Sequence, residues 1–193
     1  MKRFYFLVVF AFCYVFSIVA SETSVDGIYY NFDKINFTAK VTYKGAEDDW
    51  MYDSTGEKQY VGKLSVPETV VYNGDTYTVI GFDDEALIGS QLLEILEIPA
   101  TVTEFGTGVF SGCKSLYKID IDEENSTFFM YDSVMYKRNP LSLFFVPRAV
   151  SGSIEIYPGI TTIPSSAFQY RDITEVIIPE SVTTIKDGAF NNC

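Results

Sequence analysis

The chain contains no histidine. The side chain that most often moves a proton near neutral pH is therefore unavailable, and so are His-based nucleophile triads and His metal sites. The sequence also carries no Gly-rich phosphate cradle, no paired-Cys zinc spacing and no nucleophile elbow. What remains are carboxylates. Asp83, Asp84 and Glu85 form one run, and Asp120, Asp122, Glu123 and Glu124 cluster in another. Such runs could hold calcium, which takes several oxygen ligands at short range. Neither matches a known calcium loop, and solvated turns explain both more simply. A two-carboxylate glycosidase needs an acid facing a base or nucleophile across a groove, and no pair here locates such a groove. The expectation is a protein with no catalytic site, metal or cofactor.

Other reactive or adhesive residue types lead the same way. Cys113 and Cys193 close the same sequence motif. In stacked strands, equivalent residues lie ~4.8 Å apart per rung. These two are at least two rungs apart in the sequence, beyond the ~7 Å Cα limit for a disulfide. They are expected to be unpaired, buried, small apolar positions. Asn36-Phe37-Thr38 and Asn125-Ser126-Thr127 are glycosylation sequons, relevant only in a cell that glycosylates secreted proteins. Between residues 122 and 153 lie the aromatics Phe128, Phe129, Tyr131, Tyr136, Phe144 and Phe145. They cannot all face one side of a hairpin. Either they pack the segment onto its neighbours, or some form an exposed patch of the kind that anchors interfaces.

The elements that must position these residues are repeats. Ile98 to Cys113, IPATVTEFGTGVFSGC, returns as IPESVTTIKDGAFNNC at Ile178 to Cys193, with identity at seven positions. A recurring block of this kind marks a solenoid of stacked rungs. Phe82 to Leu87 aligns with Phe105 to Phe110, and Leu93, Leu96 and Ile98 align with Leu116, Ile119 and Ile121, at a period of 23; Phe168 and Phe190 are 22 apart. The spacing predicts about four rungs of 22–23 residues over 80–193. Each would carry a short strand, a loop begun by Pro, and a tight turn around Ala-Phe. Side chains alternate in a strand, so Leu116, Ile119 and Ile121 should point inward. The outward row should hold Ile95, Glu97, Lys118, Asp120, Glu175 and Ile177. The period breaks at about 122–153, where two strand-like runs, Phe128–Tyr136 and Leu141–Val146, predict an inserted β-hairpin.

Ahead of the array, 21–79 is β-rich and non-repetitive. Ile28–Phe32, Phe37–Tyr43 and Lys63–Val71 are strand-like, and Asn73-Gly74 predicts a hairpin turn, since both turn residues need positive φ. The polar stretch Gly45–Tyr60 reads as a loop. The segment is expected to be a β cap over the first rung. Residues 1–20 differ again: Lys2 and Arg3 precede an uncharged, largely apolar run of 17 residues, Phe4–Ala20, and polar sequence follows. This is the pattern of a signal peptide cut after Ala20, leaving no integral membrane segment. Without Lys2 and Arg3, 12 basic residues face 26 acidic ones, a net charge of −14. Nucleic acid, which needs a basic face, is disfavoured as a partner.

The pattern Ile-Pro-x-x-Val-Thr-x-Ile/Phe-x-x-x-Ala/Val-Phe-x-x-Cys, at 98–113 and 178–193 and more weakly at 156–168, resembles the BspA-type leucine-rich repeat family. Asp132 to Tyr136, Leu143 to Pro147 and Ser151 to Ser153 are similar to the hairpin these proteins place between repeats. Asp26 to Tyr30 and Val66 to Val70 resemble their lead-in. Ser90 and Arg171 depart from the motif Cys. The resemblance implies a right-handed β-rich solenoid in a secreted or cell-surface protein. It also implies a non-catalytic adhesin-like role, with partners such as the extracellular matrix or plasma proteins fibronectin and fibrinogen. The other readings are a structural spacer or truncated N-terminal fragment of a larger surface repeat protein, and a carbohydrate-active enzyme. The pattern calls for two more residues, then Leu and another strand, after Cys193, which is what motivates the fragment reading.

Overall fold

Period-two alternation of buried and exposed side chains runs through the strands, as in Ile28–Asp33, where the even-spaced Ile28, Tyr30 and Phe32 are buried. The computed structural model describes residues 23–43 and 60–193. The expected leader with its cut after Ala20, Cys13, and the loop ahead of Tyr60 lie outside the described residues. Every regular element among the described residues is a strand.

The N-terminal strands are β1 (Thr23–Val25), β2 (Ile28–Asp33), β3 (Thr38–Thr42), β4 (Gly62–Ser65), β5 (Thr69–Tyr72) and β6 (Asp75–Phe82). Five of them form a sheet in the order β1-β2-β3-β6-β5, with β8 (Glu104–Phe105) added to β6. The turns Asp26-Gly27 and Asn73-Gly74 both have two consecutive positive φ angles, the geometry whose twist matches a tight hairpin. The expected single run Lys63–Val71 is two strands, because Pro67 cannot donate to a ladder. Tyr60, placed in a polar loop by its neighbours, is instead a buried anchor. Its hydroxyl donates to the Thr42 carbonyl (2.8 Å) and accepts from the Tyr29 N–H (3.0 Å), and its own N–H donates to Ser90 Oγ (3.2 Å).

β4 does not join that sheet. It pairs in parallel with β7 (Leu93–Ile98), which pairs in parallel with β9 (Lys118–Ile121). Leu64, Leu96 and Ile119 line up inward across the three strands and are buried. Further along the chain, β13 (Ser151–Glu155) pairs with β15 (Asp172–Ile177), and β14 (Thr162–Ile163) with β16 (Thr184–Ile185), all in parallel. Each turn after a rung strand stacks on the next. Phe82 lies on Phe105 (4.8 Å, 7°), and Phe168 on Phe190 (5.1 Å, 10°).

The segment between β9 and β13 is a three-stranded antiparallel meander, and this corrects the expected two-stranded hairpin. Its strands are β10 (Phe128–Tyr131), β11 (Val134–Lys137) and β12 (Ser142–Phe145). The run Phe128–Tyr136 is broken by a turn at Asp132 and Ser133, both at positive φ. The sequence gives no Gly or Asn there, and Asp132-Ser133 is a weaker turn signal than either. All three of Val134, Met135 and Tyr136 are buried. Met135 belongs to the core of the N-terminal rungs, whereas Val134 and Tyr136 belong to the core of the C-terminal ones.

At three of four places the side chain at the motif Cys position donates to a main-chain carbonyl earlier in the chain. Cys113 Sγ donates to Leu87 O (3.3 Å), Cys193 Sγ to Phe168 O (3.1 Å), and the Arg171 guanidinium to Val146 O. Ser90 accepts instead, from Tyr60. Both cysteines are unpaired. Cys113 is buried as expected, but Cys193 is exposed, because no described rung covers its outer side. Burial pushes the Cys113 thiol up to about 12. A maleimide added to the native protein is therefore expected to label Cys193 and spare Cys113 until denaturant is added, since the thiolate is the nucleophile. Peptide mapping by mass spectrometry reads this directly, and equal native labelling of the two would contradict the packing.

Candidate functional site

The outward faces of β4, β7 and β9 form a two-by-three grid. Lys63, Ile95 and Lys118 lie across from one another, and so do Ser65, Glu97 and Asp120. Alternation puts these side chains outside because Leu64, Leu96 and Ile119 point in. Neighbouring charges neutralise each other. Lys63 Nζ lies 2.6 Å from Glu97 Oε1, and Lys118 Nζ 2.7 Å from Asp120 Oδ2. Ser65 Oγ donates to Glu97 Oε2 (2.6 Å). Hydrogen bonds from Lys63 and then Ser65 hold the Glu97 carboxyl below its ordinary value. Exposed pairs of this kind contribute little to stability. They do fix the orientation of the charges that a partner would meet.

The six expected outward residues are not one continuous row. Ile95, Glu97, Lys118 and Asp120 share the grid, whereas Glu175 and Ile177 stand on β15 opposite Ser153 and Glu155. The meander separates the two ladders. Ile177 is 51% exposed. Lys63 and Ser65 complete the grid and were missed by the period of 22–23. Their signal lies in sequence all the same: Leu64-Ser65-Val66-Pro67 repeats the pattern of Leu96-Glu97-Ile98-Pro99 at a spacing of 32.

The insert aromatics are mostly interior, so of the two readings the packing of the segment onto its neighbours describes most of them. Phe128 and Tyr136 are buried, and Phe129, Tyr131 and Phe145 are half-buried. Phe128 packs against Phe105 (5.1 Å) and Phe144 (4.9 Å). Phe145 stacks on Phe110 (4.1 Å). Phe129 and Tyr131 meet the ring of Tyr157 edge-on (4.9 and 5.2 Å). The meander has no rung of its own to cover it, so its rings fasten it to the turns on either side. Phe144 alone of the six is exposed, at 38%.

The two carboxylate runs are used within the fold. Asp84 Oδ1 accepts from both the N–H (2.6 Å) and the hydroxyl (2.9 Å) of Thr107, one rung on. Asp83 accepts from Asn31 Nδ2 (2.6 Å). In the second run Asp120 pairs with Lys118, and Asp122 Oδ1 accepts from Glu124 N–H (2.8 Å). Among the described residues no group of three or more such side chains converges on a point that could hold a metal.

Burial raises the Asp83 carboxyl above its usual value, opposed in part by the bond from Asn31. The folded chain then binds that proton more tightly than the unfolded chain. The stabilisation is complete below the ordinary carboxylate pKa of about 4 and is lost as pH rises through the raised value. Stability measured for the native chain relative to D83N should fall across that window and level off above it. A difference that grew with pH would contradict the burial.

A family model described as the BspA type leucine rich repeat region matches residues 75–193, in six copies. The chain belongs to this family. The BspA-type repeats thus cover the ladders from β6 to β16, and the model counts more copies than the four rungs expected from the sequence. Two solved structures share the fold. One is a leucine rich cell surface protein from Faecalibacterium prausnitzii, 19% identical, with a TM-score of 0.55, covering 88% of this chain and 46% of that one. The other is a leucine-rich repeat protein from Bacteroides ovatus, 23% identical, with a TM-score of 0.59, covering 89% and 45%. This BspA-type chain therefore spans less than half the length of either structure. No curated protein matches it.

Proposed function

We propose that this BspA-type chain is a secreted or cell-surface protein-binding module, adhesin-like and non-catalytic, directed at host or neighbouring-cell macromolecules. The same reading takes 1–20 as a cleaved leader, 21–79 as a β cap and 80–193 as about four rungs with their insert. It requires no cofactor. The grid on β4, β7 and β9 supports it most directly. Charged side chains there stand on a rigid parallel ladder around the apolar Ile95, with Lys63 and Lys118 on its flanks. Rigid strands hold such groups without the ordering cost that loops incur on binding. The family membership and the cell-surface relative agree with it.

The test is solid-phase binding of the purified chain to extracellular matrix and plasma proteins. Saturable binding that weakens on Lys118→Glu, with the fold intact by circular dichroism, is the expected result. Rim charges act mainly on association rate, so the loss should appear in the on-rate and deepen at low salt. A folded protein with no saturable binding to any of these would overturn the reading.

A further inference from the structure

The motif place that holds Ser90, Cys113 and Cys193 is held in the third turn by Arg171. A thiol or hydroxyl offers one donor there, whereas a guanidinium brings five donors and a permanent positive charge. Two of the five are spent on main-chain carbonyls, Nη2 on Val146 O and Nη1 on Gln169 O. Nε is enclosed and donates to nothing among the described residues. Arg148 stands beside it. Its Nη1 approaches the same Gln169 carbonyl (3.5 Å), and its guanidinium lies over the ring of Tyr170, 5.1 Å from the centroid. Two guanidiniums thus flank one carbonyl oxygen.

The pair lacks a counter-charge. Lys40, Lys63 and Lys118 each lie within 3 Å of a carboxylate oxygen, at 2.9, 2.6 and 2.7 Å. Neither Arg148 nor Arg171 has a carboxylate partner among the described residues. Burial, and then the like charge of Arg148, hold the Arg171 guanidinium below its ordinary value, with Cys193 acting the other way. Carboxylates are not scarce, since the chain has 26 acidic residues against 14 basic ones. The fold nevertheless sets a half-buried arginine beside a second arginine. A charge taken partly out of water and placed against a like charge is costly unless an anion answers it.

We infer that Arg148 and Arg171 together hold an oxyanion, a sulfate or carboxylate group seated against the two guanidiniums. Arginine forks match the spacing of two oxygens on such a group. Arg171 is half-buried and tied to Val146 and Gln169, so its orientation is set before the anion arrives. Arg148 is exposed and meets the anion first. Tyr170, 51% exposed, offers a flat amphipathic ring beside the charge, on which a sugar carrying the anionic group could rest. The group can therefore come as a free ion or on an acidic saccharide, with the same bonds to the arginines. The site lies between the end of β12 and the start of β15, away from the strand grid, and does not depend on the grid reading.

Titration of the full chain with sodium sulfate tests it, with ionic strength held constant by sodium chloride and amide NMR shifts as the readout. Saturable shifts centred on Gln169, Tyr170 and Arg171 are the expected result. R148A and R171S should each weaken the affinity about tenfold or more, the effect of losing a charge-assisted bond. Ser90 already stands at the equivalent place, so serine suits the turn, and circular dichroism checks the fold. R171K should keep part of the binding, since it retains the charge and loses the fork. A sulfated disaccharide that binds more tightly than sulfate, with Y170A removing only the excess, would place the anion on a sugar. Equal affinities would assign the site to the free ion. Shifts that stay linear in sulfate, or that persist in both R148A and R171S, would overturn the inference. So would full affinity in R148A alone, which is what a merely structural Arg171 predicts. An acidic peptide that shifts the same amides where sulfate and the disaccharide do not would overturn it too. Failure here leaves the solid-phase test of the grid untouched.

Discussion

Replacing Asn125 with Ala is expected to cost about 3–5 kcal/mol of stability, since each buried partner left without a hydrogen bond costs about 1–3 kcal/mol. Asn125 is buried. Its Nδ2 donates to Pro99 O (3.0 Å) and Val102 O (2.8 Å). Its Oδ1 accepts from the N–H groups of Thr127 (2.9 Å) and Phe128 (2.8 Å). One amide thus ties the loop after Pro99 to the entry of the meander. Asn125→Asp should cost as much or more at neutral pH, because a carboxylate oxygen would face two carbonyls. Part of that loss should return on acidification, once a proton restores a donor. Urea denaturation at two pH values measures both variants. A cost under about 1 kcal/mol for Asn125→Ala would mean that the loop re-forms its bonds with water. The same burial removes Asn125 from consideration as a glycan acceptor in the folded chain, whereas Asn36 is exposed.

The second large effect is at Gly106, where Ala should destabilise by about 3 kcal/mol, the upper end of what overpacking costs. A Cβ there would sit 2.3 Å from Asp84 N and 2.5 Å from Asp83 C. These are backbone atoms that cannot rotate away. Gly81 meets the same turn stack from the other side, with Glu104 O at 2.5 Å. Gly27 is the matched control. It has a positive φ of 81° but nothing within 4 Å of its Cβ position, so Gly27→Ala should cost only about 1 kcal/mol of backbone strain. Thermal unfolding of the pair separates steric crowding from conformational strain. Equal shifts would show that the rungs approach less closely at Gly106 than the geometry states.

Much of the scaffold was legible because burial imposes simple periods. Leu93, Leu96, Ile98, Leu116 and Ile119 are buried where the 23-residue spacing placed them. Lys118 and Asp120 face outward beside them for the same reason. What escaped the sequence was set by contacts distant along the chain. β4 joins the grid at a spacing of 32 residues, so a search at the dominant period passes over Lys63 and Ser65. Tyr60 sits among polar neighbours, and its burial depends on the carbonyl of Thr42 and the hydroxyl of Ser90. The Asp132-Ser133 turn lacks the Gly or Asn that usually announces positive φ. Ile98 and Ile178 are the same letter in the same motif, yet they are 2% and 42% exposed. A motif specifies a side chain's direction, and its burial depends on whether a neighbour covers it.

The two faces of β11 give the molecule an unusual internal joint. In an ordinary repeat array each unit is coupled to the next by the backbone ladder, and the coupling is much the same at every step. Here Ala149 donates to Leu116 O (3.0 Å), and beyond that point the two ladders do not pair. Met135 is sunk in one core and Val134 and Tyr136 in the other, and β10 and β12 likewise send Phe128 and Phe145 to the first and Phe129 and Leu143 to the second, so cooperation between the halves passes through side-chain packing of the meander. Packing can be graded one methyl group at a time, which backbone pairing cannot. The strength with which the two halves melt together, or separately, is thus an adjustable property of the meander's side chains, Val134, Met135 and Tyr136 among them.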